Sequence, residues 1–179
     1  VAYETVYWWL RGRPEPERRS FARDLASRHG VDVPAMVADL ALSWDEIAWL
    51  AADPLVTIGA HTVDHPVLAA LSEAEADYQM AESRRRIGER IGVRPQHFAY
   101  PYGDAASAGP REFALAARLG FATAVTTRPG VLFAEHRGHL SALPRVSLNG
   151  DYQSRKYLDL YLTGAPFALW RRFRRVDAA

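Results

Sequence analysis

The sequence predicts an α/β fold with about four parallel strands, preceded by an N-terminal helical segment. Short, β-branched and almost continuously apolar runs alternate with longer amphipathic stretches. Runs of this kind are typical of strands covered on both faces, as in a parallel sheet. Capping signals mark the starts of the amphipathic stretches and predict helices there. Because crossovers between such strands are right-handed, the βα units should align their strands in parallel.

The first part of the chain is predicted to be helical, since apolar residues recur there three and four positions apart. In the segment EPERRSFARDLASRHG, Phe21 and Leu25 share one face. Gly30 ends this helix, as glycine commonly does. A shorter helix is predicted to open at Val33, where a proline follows.

Two capping boxes predict the next helices. Ser43 and Glu46 have the required three-residue spacing and open the helix in LSWDEIAWLAADP. Ser72 and Glu75 repeat this spacing and open the helix in SEAEADYQMAESRRRIGERIG. A third helix is predicted in GPREFALAARLG, which ends at Gly120. The last two of these helices connect predicted strands.

Four apolar runs predict the strands: LVTIGAH, which begins at Leu55, then HFAYPYG, FATAVTT and LPRVSL. Parallel strands gather the segments that follow them at one rim, and functional residues are expected at that rim. The residues that the four runs bring there are His61 and His65, then Tyr100 to Asp104, then Thr126 to Arg128, and finally Arg145.

The number of strands leaves the architecture incomplete. Four strands are half of a closed eight-stranded barrel, and a small parallel sheet leaves an edge that needs cover. Three alternatives are open: earlier strands precede Val1 in the intact protein, the chain forms a small open sheet, or a second copy covers the edge. The start VAYETVYWWLRG, which has neither Met nor the order of a signal peptide, favours the first.

Composition excludes several classes of function. Lys and Arg number 22 and Asp and Glu 21, so overall charge does not recruit nucleic acid. The absence of cysteine excludes disulfides, thiolate metal sites and a cysteine nucleophile. It leaves the compartment open between cytoplasm and cell envelope. No apolar run approaches the roughly 18 residues of a membrane-spanning helix, so no transmembrane segment is expected.

His61 and His65 are candidate metal ligands because they lie four residues apart where the first strand ends. Neutral imidazole is the commonest ligand of zinc and similar ions, and two imidazoles can converge on the tight turn that leaves a strand. Two ligands do not complete a site, since a catalytic zinc generally keeps three protein ligands and a water. Asp64 lies between the pair and is expected to face away from it, as a solvated or helix-capping carboxylate.

The ordered motifs IGAHTVDHPVLAALS, HFAYPYGD, FATAVTTRPG and LPRVSLNGD span residues 43–150 with their flanks. As a set they resemble the polysaccharide deacetylase family, the NodB-like carbohydrate esterases of family four. That resemblance implies a distorted (β/α) barrel of NodB-homology type, of which this chain forms part. In the family, two histidines of an H-[ST]-x-x-H motif and an Asp of an earlier T-F-D-D motif bind a divalent metal. His61, Thr62 and His65 match the first of these motifs, which makes the histidines metal ligands and Thr62 their support.

The resemblance also assigns catalytic and substrate-binding residues. Tyr102 matches the tyrosine whose backbone N–H stabilises the oxyanion, so it is predicted to be catalytic. Where the family often carries an Arg, two residues before the proline, this chain has Ala99. Arg145, in LPRVSL, is therefore predicted to supply the catalytic cation from a neighbouring strand. The residues predicted to bind substrate are Tyr100, Pro101 and Gly103.

Two family motifs are not matched. No T-F-D-D sequence occurs in the 179 residues, so the base and third metal ligand that the resemblance implies are expected before Val1. The late L-H motif, whose histidine is the general acid in many members, is also not matched. His136 and His139 lie in that part of the sequence, and His139 is expected in a surface loop.

The activity that the resemblance implies is metal-dependent removal of N-acetyl groups from an amino-sugar polysaccharide or oligosaccharide, weakened or lost in the isolated chain. The expected cofactor is zinc, with cobalt, nickel or manganese as alternatives. The expected partner is an N-acetylated glycan, and neither nucleic acid nor a membrane span is expected. Two other classes remain open: a non-catalytic glycan-binding pseudoenzyme, and a structural or assembly domain.

These predictions divide the chain into three parts. Residues 1–42 form a helical segment that an intact barrel could carry as an insertion, residues 43–150 the deacetylase-like βα core, and residues 151–179 C-terminal helices. The tail FALWRRFRRVDAA is predicted to pack Trp170 and Phe173 on the body, with a membrane-surface helix as the alternative. Exposed tryptophans at positions 8 and 9 would favour self-association. The arginines at positions 84–86 are predicted to form an exposed helical face.

Overall fold

Eight α-helices and three β-strands form from residues 2–148, 150–170 and 176–177, which this computed structural model describes, with only the backbone of Trp170. The chain divides into two compact units, Val1–Trp49 and Leu50–Ala179. The division falls inside one helix. The helices are α1 (Ala2–Arg11), α2 (Glu15–Arg28), α3 (Val33–Leu40), α4 (Trp44–Ala51), α5 (Glu73–Ile91), α6 (Pro110–Arg118), α7 (Arg155–Leu162) and α8 (Ala165–Trp170).

The first unit is helical, as its apolar periodicity predicts. Helices α1, α2 and α3 contain no buried residue, and the side chains of α1 and α2 meet where the Trp9 and Phe21 rings lie 5.0 Å apart. Asp32 caps α3 by accepting a hydrogen bond from the Ala35 N–H at 3.0 Å. The predicted helices beginning in EPERR and at Val33 are confirmed.

A three-stranded parallel sheet lies at the centre of the second unit. Its strands are β1 (His97–Ala99), β2 (Thr123–Pro129) and β3 (Leu143–Arg145), in the spatial order β1-β2-β3. The parallel α/β class is therefore confirmed, with fewer strands than the sequence predicts. Between β2 and β3 the register shifts, so that both Val125 and Pro129 have partners in a strand of three residues.

The first predicted strand, LVTIGAH, is reduced to a single parallel bridge between Ala60 and Phe98. The Ala60 N–H donates to the His97 carbonyl at 2.8 Å, and the Ala99 N–H donates to the Ala60 carbonyl at 2.9 Å. Within the described residues this run is paired with β1 at Ala60 alone, and Leu55 is 92% exposed. The apolar sequence of this run predicts a strand that is covered on both faces. The structure contradicts that prediction, because the run forms one bridge and its first residue is exposed.

The hydrophobic core fills the space between the sheet and helices α5 and α6. The Phe98 ring lies 5.2 Å from that of Tyr100 and 5.1 Å from that of Phe121, and the Tyr100 ring lies 5.5 Å from that of Phe113. Met80 brings α5 into the same cluster. Large aromatic side chains contribute most of the buried apolar area in such a core. This packing holds the strand ends, and the loops that follow them, on a fixed base.

Both predicted capping boxes are present. The Ser43 N–H donates to Glu46 Oε2 at 2.7 Å, and the Ser72 N–H donates to Glu75 Oε2 at 2.9 Å. In return, the Ser72 hydroxyl accepts from the Glu75 N–H at 3.3 Å. Reciprocal bonds of this kind satisfy backbone groups that a helix start would otherwise leave unpaired.

The prediction of an exposed arginine face on α5 is wrong at Arg84, which is 7% exposed. Its guanidinium donates to the Pro95 and Leu119 carbonyls, each at 2.6 Å, and to the Gly120 carbonyl at 3.1 Å. It also lies 4.6 Å from the centre of the Phe121 ring. The side chain is buried because it joins three carbonyls from the segments that lead into β1 and β2. The two arginines that follow it are exposed and pair with Glu82 on α5.

The C-terminal part contains α7 and α8. The ring centroids of Tyr152 and Tyr157 lie 5.1 Å apart in this part, and both residues are more than one-third exposed. The predicted packing of the Trp170 and Phe173 side chains lies outside the described residues, as does the arginine run between them. In the portion that the structure describes, no helix is both long enough and apolar enough to cross a bilayer.

Candidate metal-binding and catalytic site

The candidate site lies at the carboxyl edge of the parallel sheet. His61 directly follows the bridge residue Ala60, and residues 101–103 follow β1. Arg128 lies near the end of β2, and Arg145 ends β3. Because neighbouring strands run in parallel, these segments all leave the sheet at one edge, as the sequence predicts.

Three of the predicted site residues are in contact. The rings of His61 and His65 lie 4.9 Å apart, measured between centroids, and are inclined at 75°. The Tyr102 ring lies 5.1 Å from that of His65, inclined at 71°. The fold therefore joins two motifs that are more than thirty residues apart in the sequence. All three side chains are at least partly open to solvent.

The orientation of the His61 ring is fixed by a hydrogen bond to the end of β1. His61 Nδ1 lies 2.7 Å from the Ala99 carbonyl oxygen, which can only accept a hydrogen bond. Nδ1 must therefore carry the proton, so the neutral ring has its lone pair on Nε2. A histidine held in this way, by a bond from its other nitrogen, is typical of metal ligands.

The turn that carries the two histidines is strained. Thr62 and His65 have φ angles of 66° and 56°, and these are the non-glycine residues with positive φ in the described structure. For such residues, this left-handed conformation costs roughly 1–3 kcal/mol each. Thr62 Oγ1 accepts a hydrogen bond from the His65 N–H at 3.0 Å, which closes the turn. The Thr62 side chain is therefore hydrogen-bonded to the backbone of the second histidine.

One residue that no sequence motif marks contacts this turn. Gln79 on α5 accepts hydrogen bonds from the Val63 and Asp64 N–H groups through Oε1, both at 3.0 Å. Gln79 Nε2 donates to Asp64 Oδ2 at 2.8 Å. The Asp64 carboxylate therefore faces α5, where Gln79 is its partner. The sequence predicts that this carboxylate faces away from the two histidines. No local pattern marks a glutamine on a helix as the partner of a distant turn.

The loop after β1 is fixed by β2. The Tyr102 carbonyl accepts from the Thr127 hydroxyl and from the Asp104 N–H, each at 2.6 Å, and the Thr127 N–H donates to the Gly103 carbonyl at 3.2 Å. Gly103 is buried with φ 49°, and a Cβ at this position would lie 2.4 Å from the Thr127 nitrogen. Only glycine fits such a close approach of two backbones. This contact explains the glycine in the PYG motif.

Tyr100 does not reach the rim. Its ring is 2% exposed, and its hydroxyl donates to the Ser141 carbonyl at 2.8 Å. Burial raises the pKa of this hydroxyl above its ordinary value, and nearby Glu112 raises it further. The predicted substrate contact of Tyr100 therefore cannot involve its ring, because the aromatic side chain packs into the core. Pro101 and Tyr102, by contrast, are half-buried at the strand end.

The remaining predicted residues lie at greater distance from the histidine pair. Arg145 is exposed, with Pro129 as its register partner. Three strand spacings of about 4.8 Å separate the Ala60 bridge from β3. Arg145 therefore lies at the opposite side of the sheet from the histidine pair. His136 is buried, and its Nδ1 accepts from the Phe133 N–H at 3.0 Å, whereas His139 is exposed as predicted.

The two imidazoles fit a divalent cation as two of its ligands. They are adjacent, and the lone pair of His61 lies on Nε2, as nitrogen coordination requires. Among the described residues, no cluster of three or more His, Cys, Asp or Glu side chains could hold a metal ion. Two imidazoles alone do not complete a metal site, and the sequence contains no T-F-D-D motif to supply a third ligand.

Comparison with known protein families gives one match, to the model described as polysaccharide deacetylase, over residues 22–124. The match covers more than half of the chain and includes both histidines and the PYG motif. The chain belongs to the polysaccharide deacetylase family. This membership confirms the predicted family. Deacetylases of this family are generally metal-dependent.

Several solved structures have a similar fold. The Streptococcus pyogenes deacetylase PplD, in complex with acetate, superposes with a TM-score of 0.60 at 23% identity, over 67% of this chain and 50% of PplD. IcaB from Ammonifex degensii gives 0.55 at 25%, over 67% of this chain and 52% of IcaB. BC0361, a polysaccharide deacetylase from Bacillus cereus, gives 0.51 at 21%, over 59% and 32%.

The chain spans about half the length of PplD and IcaB. No curated protein sequence is significantly similar to it.

Proposed function

We propose that this deacetylase chain contributes the histidine pair and the PYG loop to a metal-dependent enzyme that removes N-acetyl groups from amino-sugar polymers. One observation carries the proposal: His61, His65 and Tyr102 are in contact at the strand ends of a polysaccharide deacetylase fold. Neither histidine is used in the core of the protein, since both are exposed.

His61 and His65 would hold the cation, with zinc as the expected ion and cobalt, nickel or manganese as alternatives. A bound divalent cation supplies Lewis acidity, which polarises an acetyl carbonyl and lowers the pKa of water. Hydrolysis also needs a base and a third ligand. We assign both to an aspartate of the family's T-F-D-D motif, which does not occur in these 179 residues.

The PYG loop is assigned to the developing negative charge. In this proposal the Tyr102 backbone N–H donates to the acetyl oxygen as it becomes an oxyanion, and Arg145 adds positive charge from β3. A preorganised donor of this kind is worth roughly 10²–10³ in kcat. Its position is fixed by the hydrogen bonds from Thr127 to the Tyr102 and Gly103 carbonyls. Pro101 and Gly103 lie in the same loop and would contact the substrate through their backbone.

Acetate release tests this function. Oligomers of N-acetylglucosamine, incubated with zinc and the protein supplied with the T-F-D-D motif, should release acetate at a rate that chelation abolishes and zinc restores. The variant His61→Ala should lose this release by at least about 10²-fold, because the Lewis acid is lost with its ligand. The variant His139→Ala, at an exposed loop position, should retain it.

Equal acetate release by the protein and by His61→Ala would contradict the proposal. Binding of the oligomers without any acetate release, in a protein that also contains the T-F-D-D motif, would instead support the glycan-binding pseudoenzyme. No binding, no release and no effect of either variant would favour a structural or assembly domain.

The domain organisation is part of the same proposal. Residues 43–150 provide the βα core of the enzyme, residues 1–42 a helical insertion, and residues 151–179 the C-terminal helices. Trp8 and Trp9 are 66% and 45% exposed, and we propose that they contribute to self-association. Analytical ultracentrifugation of Trp8→Ala tests this: a variant that associates as strongly as the unchanged protein would contradict it.

A further inference from the structure

The side chain of Gln79, on α5, reaches the turn of residues 61–65, the histidine turn. Its Oε1 accepts the N–H groups of two consecutive residues, Val63 and Asp64, and its Nε2 donates to the Asp64 carboxylate. Because both N–H donors must face an oxygen, these contacts also distinguish Oε1 from Nε2 in the Gln79 amide. Each polar atom of the Gln79 amide therefore has a hydrogen bond to the turn.

Gln79 is fixed from the core side. It lies on α5 between the fully buried residues Ala76 and Met80, and it is itself half-buried. A helix held by such packing does not shift without disturbing the core. The amide is therefore presented to the turn by a rigid element rather than by another loop.

The two amides that Gln79 holds lie between the two strained residues. Thr62 and His65 have positive φ, and Val63 and Asp64 are the residues that separate them. Strained backbone of this kind persists only where the surroundings over-determine it. The bond between Thr62 Oγ1 and the His65 N–H closes the turn internally, and Gln79 provides the hold from outside.

We propose that Gln79 is a positioning residue for the metal pair: it holds the turn in the strained conformation that keeps the His61 and His65 rings together. This inference rests on the proposed function only in assigning a cation to the pair. Without Gln79, the turn relaxes and the His65 ring leaves the His61 ring. The residue acts on the turn through the Val63 and Asp64 backbone N–H groups.

Zinc affinity is the first test, measured by competition with a chromophoric chelator on the protein supplied with the T-F-D-D motif. Gln79→Ala should bind zinc about 10–100-fold more weakly, the loss typical of residues that orient metal ligands. Gln79→Glu should also bind more weakly, because it places a carboxylate against that of Asp64. Adding Asp64→Asn to Gln79→Glu restores a donor opposite an acceptor and should recover the affinity. Gln96→Ala, an exposed glutamine outside the turn, should leave it unchanged.

A second measurement does not depend on zinc. NMR of the metal-free protein should show a ring-to-ring nuclear Overhauser effect between His61 and His65, and slow exchange of the Val63 and Asp64 amide protons. Both should be lost in Gln79→Ala, and both should return in the double variant. Thermal unfolding of each variant separates this effect from a general loss of stability.

The outcomes for Gln79 and for the proposed function can be told apart. If the protein supplied with the T-F-D-D motif and otherwise unchanged binds no zinc, the proposed function fails, and the NMR measurement alone decides the role of Gln79. If Gln79→Ala keeps both the ring contact and the amide protection, the positioning role is overturned. Equal zinc affinity of the unchanged protein and Gln79→Ala would overturn it as well.

Discussion

At the scale of single residues, the sequence identifies side chains that lie next to each other in the motif, but not their distant partners. The H-T-x-x-H spacing predicts the pair that the structure brings into contact, His61 and His65. Arg84 was expected to be exposed because the residues beside it are charged, yet its partners lie eleven or more positions away. Gln79 carries no local signal for the same reason. Tyr100 is a buried aromatic that alternation along β1 cannot distinguish from a rim residue.

Gly103 gives a prediction at this scale. The variant Gly103→Ala should destabilise the protein by about 2–5 kcal/mol, because a positive φ and a close contact with the Thr127 nitrogen act together. The matched control is Gly92→Ala, where φ is also positive but no atom lies within 4 Å of the new Cβ. This control should cost only about 1 kcal/mol. Urea unfolding measures both, and equal costs would show that the packing on Thr127 does not matter.

At the scale of elements, local signals predict helices well because their causes lie within a few residues. The two capping boxes depend on residues three positions apart, and both form. The first predicted strand is different, since a strand exists only where another strand pairs with it. Its apolar sequence gives the tendency, but within the described residues only Ala60 finds a partner, on β1. Pairing over long distances in the sequence cannot be deduced from the run itself.

The capping box of α5 gives a prediction with a pH dependence. Hydrogen bonds from the Ser72 hydroxyl, and then from the Ser72 N–H, lower the pKa of Glu75 below its ordinary value. Because this pKa is lower in the folded state, its contribution to stability is present above the unfolded pKa and is lost as the pH falls through the folded pKa. Ser72→Ala should cost about 1 kcal/mol at neutral pH, and less in acid.

Carboxyl NMR titration and urea unfolding at two pH values check this. The titration should show the pKa of Glu75 rising toward its ordinary value in Ser72→Ala. The matched control is Ser154→Ala, because Ser154 begins α7 without a side-chain capping bond. A loss of stability as large as that of Ser72→Ala in this control, or a Glu75 pKa that does not move, would contradict the assignment.

At the scale of the whole molecule, the α/β class, the parallel order and the family could be predicted from the sequence. The order of motifs along the chain carries this information, since each motif follows one strand and all strands end at one edge. What it could not provide is the set of long-range contacts that fix the motifs, from Gln79 to the histidine turn and from Thr127 to the PYG loop. Both depend on how helices and strands pack in three dimensions.

The paired histidines are the central claim, and zinc binding tests them most directly. Equilibrium binding is measured on the protein supplied with the T-F-D-D motif, and on its variants His61→Ala, His65→Ala and His97→Ala. His97 serves as the control because its Nδ1 bonds to the Thr123 hydroxyl at 2.8 Å, at the opposite end of β1. One zinc per chain should bind to the unchanged protein and to His97→Ala, with affinity reduced at least about 10-fold in the other two. Equal zinc affinity in all four proteins would contradict the account.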